Sequence, residues 1–240
     1  MTGLIKPEDV CFVVVSYKRP WNIPVIVQAA ERYGFGEVYI WDNSGNPKEL
    51  EKWLIDEAPD EKSTYRLGYA DKNCYTMGRY VGALRACEKD IIATCDDDYL
   101  LTNAAWDRLL EHWDGQKIVA QLPQENNQYV AAHGLPYLNL GYGSLFDKDW
   151  AQEAFLAIEE ATGGTQNELM VRKADRCFTS YHQRRTVLKA VFGKHLIKLR
   201  NPDGKFSETD KYSIHLTEQH MMDSHRAISL GIQAQQVAVE

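Results

Sequence analysis

Residues 10–16, VCFVVVS, form an unbroken apolar and β-branched run. Without polar alternation, such a run predicts a strand covered on both faces. Pro20 and the following WNIPVIVQAAERYG fit a helix entered through a proline-rich turn and closed at Gly34. EVYIW (37–41) reads as a second strand, ending in the turn signal Asp42-Asn43-Ser44-Gly45. PKELEKWLIDEA predicts a helix with proline in its first turn. STYRLG (63–68) is a short third strand. Within 76–89, Met77, Tyr80, Val81, Leu84 and Cys87 recur at helical spacing. IIATC (91–95) is another buried strand, and it runs directly into Asp96-Asp97-Asp98.

This β-α-β-α-β-α-β alternation predicts a mainly parallel, doubly wound sheet over the first hundred residues. Ligands of such sheets bind outside the carboxyl ends of the strands. Three strands end in polar clusters: Ser16-Tyr17-Lys18-Arg19, Asp42-Asn43-Ser44 and Asp96-Asp97-Asp98. All three should meet at one edge. Beyond Leu101 the pattern gives a helix at 103–113, a strand at 117–123, a further strand at 129–133 and a glycine-bearing loop at 141–146. A helix at 149–161 follows, closed by Gly163-Gly164, and then helix mixed with basic loop. No repeat, low-complexity tract or linker interrupts the chain, which predicts one α/β domain over 1–240.

Composition narrows the class. The chain has 240 residues, 44% of them hydrophobic and 25% charged, with a mean hydropathy of −0.44, enough for a core without staples. No apolar run approaches the roughly 18–20 residues a membrane helix needs. The first residues lack the basic-then-apolar layout of a secretory signal. Five cysteines (Cys11, Cys74, Cys87, Cys95, Cys177) form no CxxC pair, and their odd number suits a reducing, cytoplasmic setting. The net charge of −7 speaks against a general nucleic-acid coat. Yet residues 172–200 hold nine basic residues against Asp175, a net of +8 that leaves −15 on the rest. Such asymmetry suggests an anionic ligand near that segment, or else a solvated basic helix.

The aspartate triplet carries the sharpest chemistry. Three carboxylates directly after an apolar strand repel one another and are not buried unpaired. In extended backbone Asp96 and Asp98 share a side and Asp97 takes the other. Such a pair can hold a hard divalent cation, Mn²⁺ or Mg²⁺, whose other positions take phosphate oxygens or water. The plain alternative is an acidic turn capping the helix that starts near Thr102.

An apolar strand followed by SYKRP, a strand ending in WDNSGN, and an arginine-bearing helix leading to an apolar strand and DDD together resemble a glycosyltransferase of the GT-A type. Over residues 10–101 the resemblance is closest to the exostosin-like, retaining transferases. It implies a GT-A fold with a Rossmann-like sheet flanked by helices, a nucleotide-binding half over 1–101 and an acceptor and catalytic half over 102–240. It implies a nucleotide-diphospho-sugar donor, UDP-sugar first, and transfer of a hexosyl unit to a saccharide or other hydroxyl acceptor. Carried onto this chain, it makes Asp98 the main metal ligand and turns Asp96 toward the ribose or the metal. It places Asp97 in the donor site, gives Ser16, Tyr17 and Arg19 the walls of the nucleotide pocket, and brings Asp42 and Asn43 to base or ribose. Arg79 matches an arginine at the nucleotide or its diphosphate, with Arg85 one alternative and a surface ion pair another. Trp21 and Trp41 flank this pocket, placed for stacking.

The second half resembles the family less. GYGSLFDKDW is similar to a glycine loop beside the donor sugar, which would put Gly143 and Ser144 there. TQNELMVRKADRCF is similar to a segment with paired acids near the reacting carbon. Here one acid, Glu168, stands at that point, and Asp175 is the other candidate. Glu168 would stabilise charge on the sugar in a retaining reaction, or act as general base in an inverting one. HLTEQHMMDSHRAISLG resembles a terminal histidine–helix–glycine element, in which His215 would complete the metal shell. The five-residue spacing of His215, His220 and His225 is not that of a helical zinc pair.

Two other classes compete. A sugar-phosphate nucleotidyltransferase shares the sheet and the metal, but SYKRPWN has the bases of a phosphate loop without its glycines. A non-catalytic nucleotide- or carbohydrate-binding protein would not need the intact triplet. The +8 segment also allows a hydroxymethylated DNA base as acceptor, with Arg184 and Arg185 as its contacts.

Overall fold

The computed structural model describes residues 5–56, 64–122, 140–164, 168–182, 188–191, 196–204 and 218–239. The strand anticipated at 129–133, and His215, Arg184, Arg185 and Lys194, lie outside them. The first half follows the hydrophobic pattern closely. Strand β1 is Val10–Ser16, helix α1 Ile23–Tyr33, β2 Glu37–Asp42, α2 Pro47–Asp56, β3 Arg66–Tyr69, α3 Met77–Ala86 and β4 Ile91–Asp96. Gly34 ends α1 in the left-handed conformation, φ 96°, and its N–H closes on the carbonyls of Ala30 and Glu31. Strand β5 (Tyr99–Leu101), α4 (Asn103–His112), β6 (Val119–Leu122), β7 (Ser144–Asp147) and α5 (Lys148–Ala161) come next. The described chain ends with α6 (Glu168–Arg172), α7 (Ala174–Tyr181), β8 (Leu188–Val191), β9 (Leu196–Lys198) and α8 (Glu218–Val239).

Seven strands form one sheet in the order β3-β2-β1-β4-β7-β6-β8, and β5 pairs with β9 in a separate two-stranded ribbon. β1 runs parallel to both β2 and β4, and β2 parallel to β3, as βαβ crossovers require. β7 is antiparallel to β4 and to β6. Residues 144–146 therefore correct the loop expected over 141–146: Ser-Leu-Phe closes the gap between β4 and β6, with Thr94 opposite Ser144.

Alternate residues of β1 enter opposite layers of core. Cys11 and Val13 pack with α3, α5, α7 and α8, whereas Val10, Phe12 and Val14 pack with α1, α2 and α4. Phe12 alone meets Phe35 at 5.3 Å and Trp106 at 5.7 Å between ring centroids. Burying a side chain of that size contributes about 1.5–3 kcal/mol. The cysteine expectation needs one correction. Cys11 on β1 and Cys87, at the C-terminus of α3, are joined as a disulfide with 6.1 Å between Cα atoms, while Cys74, Cys95 and Cys177 are free thiols.

Candidate active site

Register brings the three polar clusters to one edge. Ser16 pairs with Asp42 and Val15 with Asp96, so β1, β2 and β4 end side by side. The Asn43 N–H donates to the Ser16 carbonyl at 2.8 Å, extending the β1–β2 ladder past the strand end.

Each cluster has its own internal bonding. After β1 the chain turns through Lys18 at φ 62°, a left-handed conformation rarely adopted by a side-chain-bearing residue and common at functional sites. This turn wraps Asp97: the Tyr17 N–H donates to one carboxylate oxygen at 2.7 Å and Arg19 Nη1 to the other at 2.8 Å. Asn22 Nδ2 donates to the Asp97 carbonyl at 2.8 Å. Burial pushes the Asp97 carboxyl up to about 6, although Arg19 and the Tyr17 N–H pull it down. Arg19 also reaches Asp98, with Nη2 3.8 Å from the carboxylate. At the end of β2, Asp42 accepts from the Ser44 N–H and hydroxyl, both at 2.9 Å. Asn43 accepts from Trp41 Nε1 and donates to the Tyr75 carbonyl, each at 3.0 Å, which ties β2 to the start of α3.

Trp41 is 4% exposed and sits beneath α3, where Gly78 leaves room for its indole. That corrects its expected place as a stacking platform, since α3 already covers the ring. Trp21 is half-buried and meets Trp53 edge-on at 6.5 Å.

Asp96 has a different environment from Asp97. Its side chain is 38% exposed, and the carboxylate accepts from Arg79 Nη2 at 2.6 Å. It lies against the turn at Gly141, where an added Cβ would run into the carboxylate. Arg79 is only 2% exposed, so it is no surface arginine, and its Nε is 3.6 Å from Asp175. Burial works against the Arg79 charge, but the Asp175 and Asp96 carboxylates more than offset it and hold the guanidinium above its ordinary value. Arg85, the alternative, is exposed. Asp175 is itself buried, accepting from the Tyr80 hydroxyl at 2.9 Å and the Leu140 N–H at 3.3 Å. Burial pushes its carboxyl up, against the pull of Arg79.

The remaining candidates lie further out or deeper in. Gly143 takes φ 103°, and its carbonyl accepts from the Gln121 N–H at 2.8 Å. Ser144 is fully buried within the sheet, its hydroxyl donating to the Leu140 carbonyl. Glu168 on α6 is 83% exposed and 3.7 Å from Arg172, whose guanidinium lies over the Tyr75 ring at 5.4 Å. The basic residues Arg172, Lys173 and Arg176 stand on or beside α6 and α7. Lys198, on β9, lies over the Tyr99 ring at 6.0 Å, and Arg200 donates to the Gly204 carbonyl. Asn22 and Tyr75 (φ 49°) are parts of the site that the sequence pattern does not single out. Asn73, whose side chain accepts from the Tyr75 N–H at 2.8 Å, is the local signal that fits the turn before α3.

The triplet does not converge on one point: Asp96 turns to Arg79, and Asp97 and Asp98 to Arg19. Among the described residues, the only three potential ligand atoms from different side chains within 4.8 Å of one another belong to Cys11, Glu37 and Cys87, where the two sulfurs are already bonded. The edge therefore offers a few carboxylate oxygens rather than a closed cage. That donor set suits a hard cation that keeps waters and takes phosphate oxygens from its substrate.

No protein-family model matches the chain, and no curated protein matches it by sequence. Its similarity is to solved structures. Glucosyl-3-phosphoglycerate synthase from Mycobacterium tuberculosis, determined with Mn²⁺, UDP and glucosyl-3-phosphoglycerate, superposes with a TM-score of 0.57 at 10% identity. That match covers 95% of this chain and 80% of the synthase. The same enzyme with Mn²⁺, UDP-glucose and phosphoglyceric acid gives the same TM-score. The 4-diphosphocytidyl-2C-methyl-D-erythritol synthase of Anaerococcus prevotii gives 0.54 at 11% identity, over 85% of this chain and 95% of that one. No helix among the described residues is long and apolar enough to cross a membrane. The chain has the α/β fold of the GT-A nucleotide-sugar transferases, a mostly parallel sheet flanked by helices.

Proposed function

We propose that this protein is a metal-dependent glycosyltransferase moving a hexosyl unit from a nucleoside-diphospho-sugar, UDP-sugar first, to a hydroxyl of a saccharide-type acceptor. The observation that carries this reading is the meeting of Ser16–Arg19, Asp42–Asn43 and Asp96–Asp98 at the carboxyl edge of parallel strands. Ser16, Tyr17 and Arg19 wall the nucleotide pocket, and Asp42 and Asn43 form its floor. Asp97 fixes the Tyr17–Arg19 turn. Asp98, with Asp96, would hold Mn²⁺ or Mg²⁺, which when bound neutralises charge on the diphosphate leaving group. Arg19, beside Asp97 and Asp98, adds a guanidinium to the same diphosphate. The donor sugar lies along the turn that contains Gly141 and Gly143, with Ser144 behind it in the sheet. Of the two candidate acids in the second half Glu168 is the accessible one, and it stabilises positive charge on the sugar during transfer with retained configuration.

The experiment is incubation with Mn²⁺ and single UDP-, GDP- or CMP-sugars, following release of the nucleotide. Slow hydrolysis of one donor, abolished by EDTA, is the expected result. Consumption of a nucleoside triphosphate with a sugar phosphate would favour a nucleotidyltransferase instead. That second reading draws on the likeness to the diphosphocytidyl-methylerythritol synthase, which extends over 95% of its chain. Silence in both assays would leave a binding protein. Arg172 pairs with Glu168 and lies over the Tyr75 ring, and Lys198 lies over the Tyr99 ring. Arg184 and Arg185, the contacts expected for a DNA acceptor, lie outside the described residues, and that acceptor finds no support here.

A further inference from the structure

Asp175 lies in the second half of the chain, yet three groups from two elements that border Asp96 meet its carboxylate. The Tyr80 hydroxyl and Arg79 Nε approach one of its oxygens from α3, and the Leu140 N–H donates to the other from the turn before β7. Tyr80 is fully buried, ringed by Phe146, Phe155 and Phe178 with centroids 4.9–5.4 Å away. That packing fixes where its hydroxyl points. The Leu140 turn is continuous with Gly141, which faces the Asp96 carboxylate. Arg79 is thus held between two carboxylates, one buried and one open to solvent.

We propose that Asp175 is a positioning residue for the donor site: it anchors Arg79 and the Leu140–Gly141 turn, and so sets the orientation and free charge of the Asp96 carboxylate. Resting on the donor-site reading above, the inference removes Asp175 from the candidates for nucleophile or base. A buried guanidinium needs its charge matched. With Asp175 ionised, that demand is shared, and Asp96 keeps negative charge available to a cation or ribose. With Asp175 neutralised, Asp96 becomes the sole counter-charge to Arg79 among its bonded partners and is drawn away from the ligand.

The test is a double-mutant cycle read by calorimetric binding of UDP in the presence of Mn²⁺. Asp175→Asn should weaken binding at least tenfold with the thermal transition still cooperative. In an Asp96→Asn background the same change should cost less than twofold, because the route through Asp96 is already cut. Tyr80→Phe removes one hydrogen bond and no charge or packing. It should weaken binding in the same direction, also only when Asp96 is present, and it keeps the test open if Asp175→Asn fails to fold. Equal losses with and without Asp96 would show a general structural role and overturn the proposal. So would unchanged binding in either folded variant. Failure of the wild-type protein to bind UDP with Mn²⁺ would overturn the donor-site reading itself, a separate result.

Discussion

One peptide bond separates Asp96, whose side chain is 38% exposed, from Asp97, whose side chain is 6% exposed. Alternation along extended backbone predicts that Asp97 parts from Asp96, but it also predicts Asp98 on the side of Asp96. β4 ends at Asp96, and the turn that follows carries Asp98 to Arg19 beside Asp97 instead. The partners that make the buried position of Asp97 tolerable, the Tyr17 N–H and Arg19, come from a turn about eighty residues earlier, so no local pattern reveals them. Asp97→Ala should cost about 3 kcal/mol of stability, since it removes a hydrogen-bonded carboxylate from the Arg19 guanidinium and the acceptor from the Tyr17 N–H. The urea unfolding midpoint measures this. Asp98→Asn should behave in the opposite way. Metal-dependent UDP binding should fall at least tenfold, on the order of the loss expected when a metal site is disturbed. Stability should stay within about 0.5 kcal/mol. Full activity of Asp98→Asn at ordinary metal concentration would remove the triplet from the metal site.

Among the elements, β1, β2 and β4 were legible as apolar runs that end in polar clusters and α1, α2 and α3 from helical spacing, whereas four-residue β3, expected over 63–68, is Arg66–Tyr69. β7 was not legible. Its four residues follow Gly141 and Gly143, and it is a strand because β4 and β6 leave an edge for it on either side. Gly231, the glycine at the end of HLTEQHMMDSHRAISLG, lies inside α8, which runs through it to Val239. The glycine is there for close approach: a Cβ would run into the Ser180 hydroxyl and the Cys177 carbonyl on α7. The same physics applies to α3 over β2. A Cβ on Gly78 would meet Trp41 at 2.7 Å, whereas one on Gly82 would sit 3.0 Å from the Tyr39 ring. Alanine gains about 1 kcal/mol over glycine in a helix interior, against overpacking costs of about 1–3 kcal/mol. Gly78→Ala should therefore destabilise the protein, and Gly82→Ala should be less costly, in paired denaturant titrations. The disulfide also acts between elements, fastening the C-terminus of α3 to β1 across a separation of 76 residues. The denatured protein should react with three equivalents of thiol reagent before reduction and five after, matching Cys74, Cys95 and Cys177 as the free thiols. By the chain-entropy relation its loss costs about 4.5 kcal/mol.

For the whole molecule, the charge count gained meaning only once it was placed. Part of the acidity stands at the sheet edge, where Asp96, Asp97 and Asp98 meet two arginines from other parts of the chain. The candidate catalytic acids proved unlike each other for a reason sequence does not carry. Glu168 and Asp175 are seven positions apart, but one is open to solvent and the other is enclosed by Tyr80, Arg79 and the Leu140 turn. Burial, which follows from how α7 packs on α3 and α8, decides which of them can reach a substrate. The most direct measurement of the central claim is a crystal structure of the protein with Mn²⁺ and UDP. The account predicts the metal against Asp98 and the diphosphate, with the uridine between the Ser16–Arg19 turn and the end of β2. Nucleotide bound elsewhere on the molecule, or a metal that leaves the triplet untouched, would contradict it.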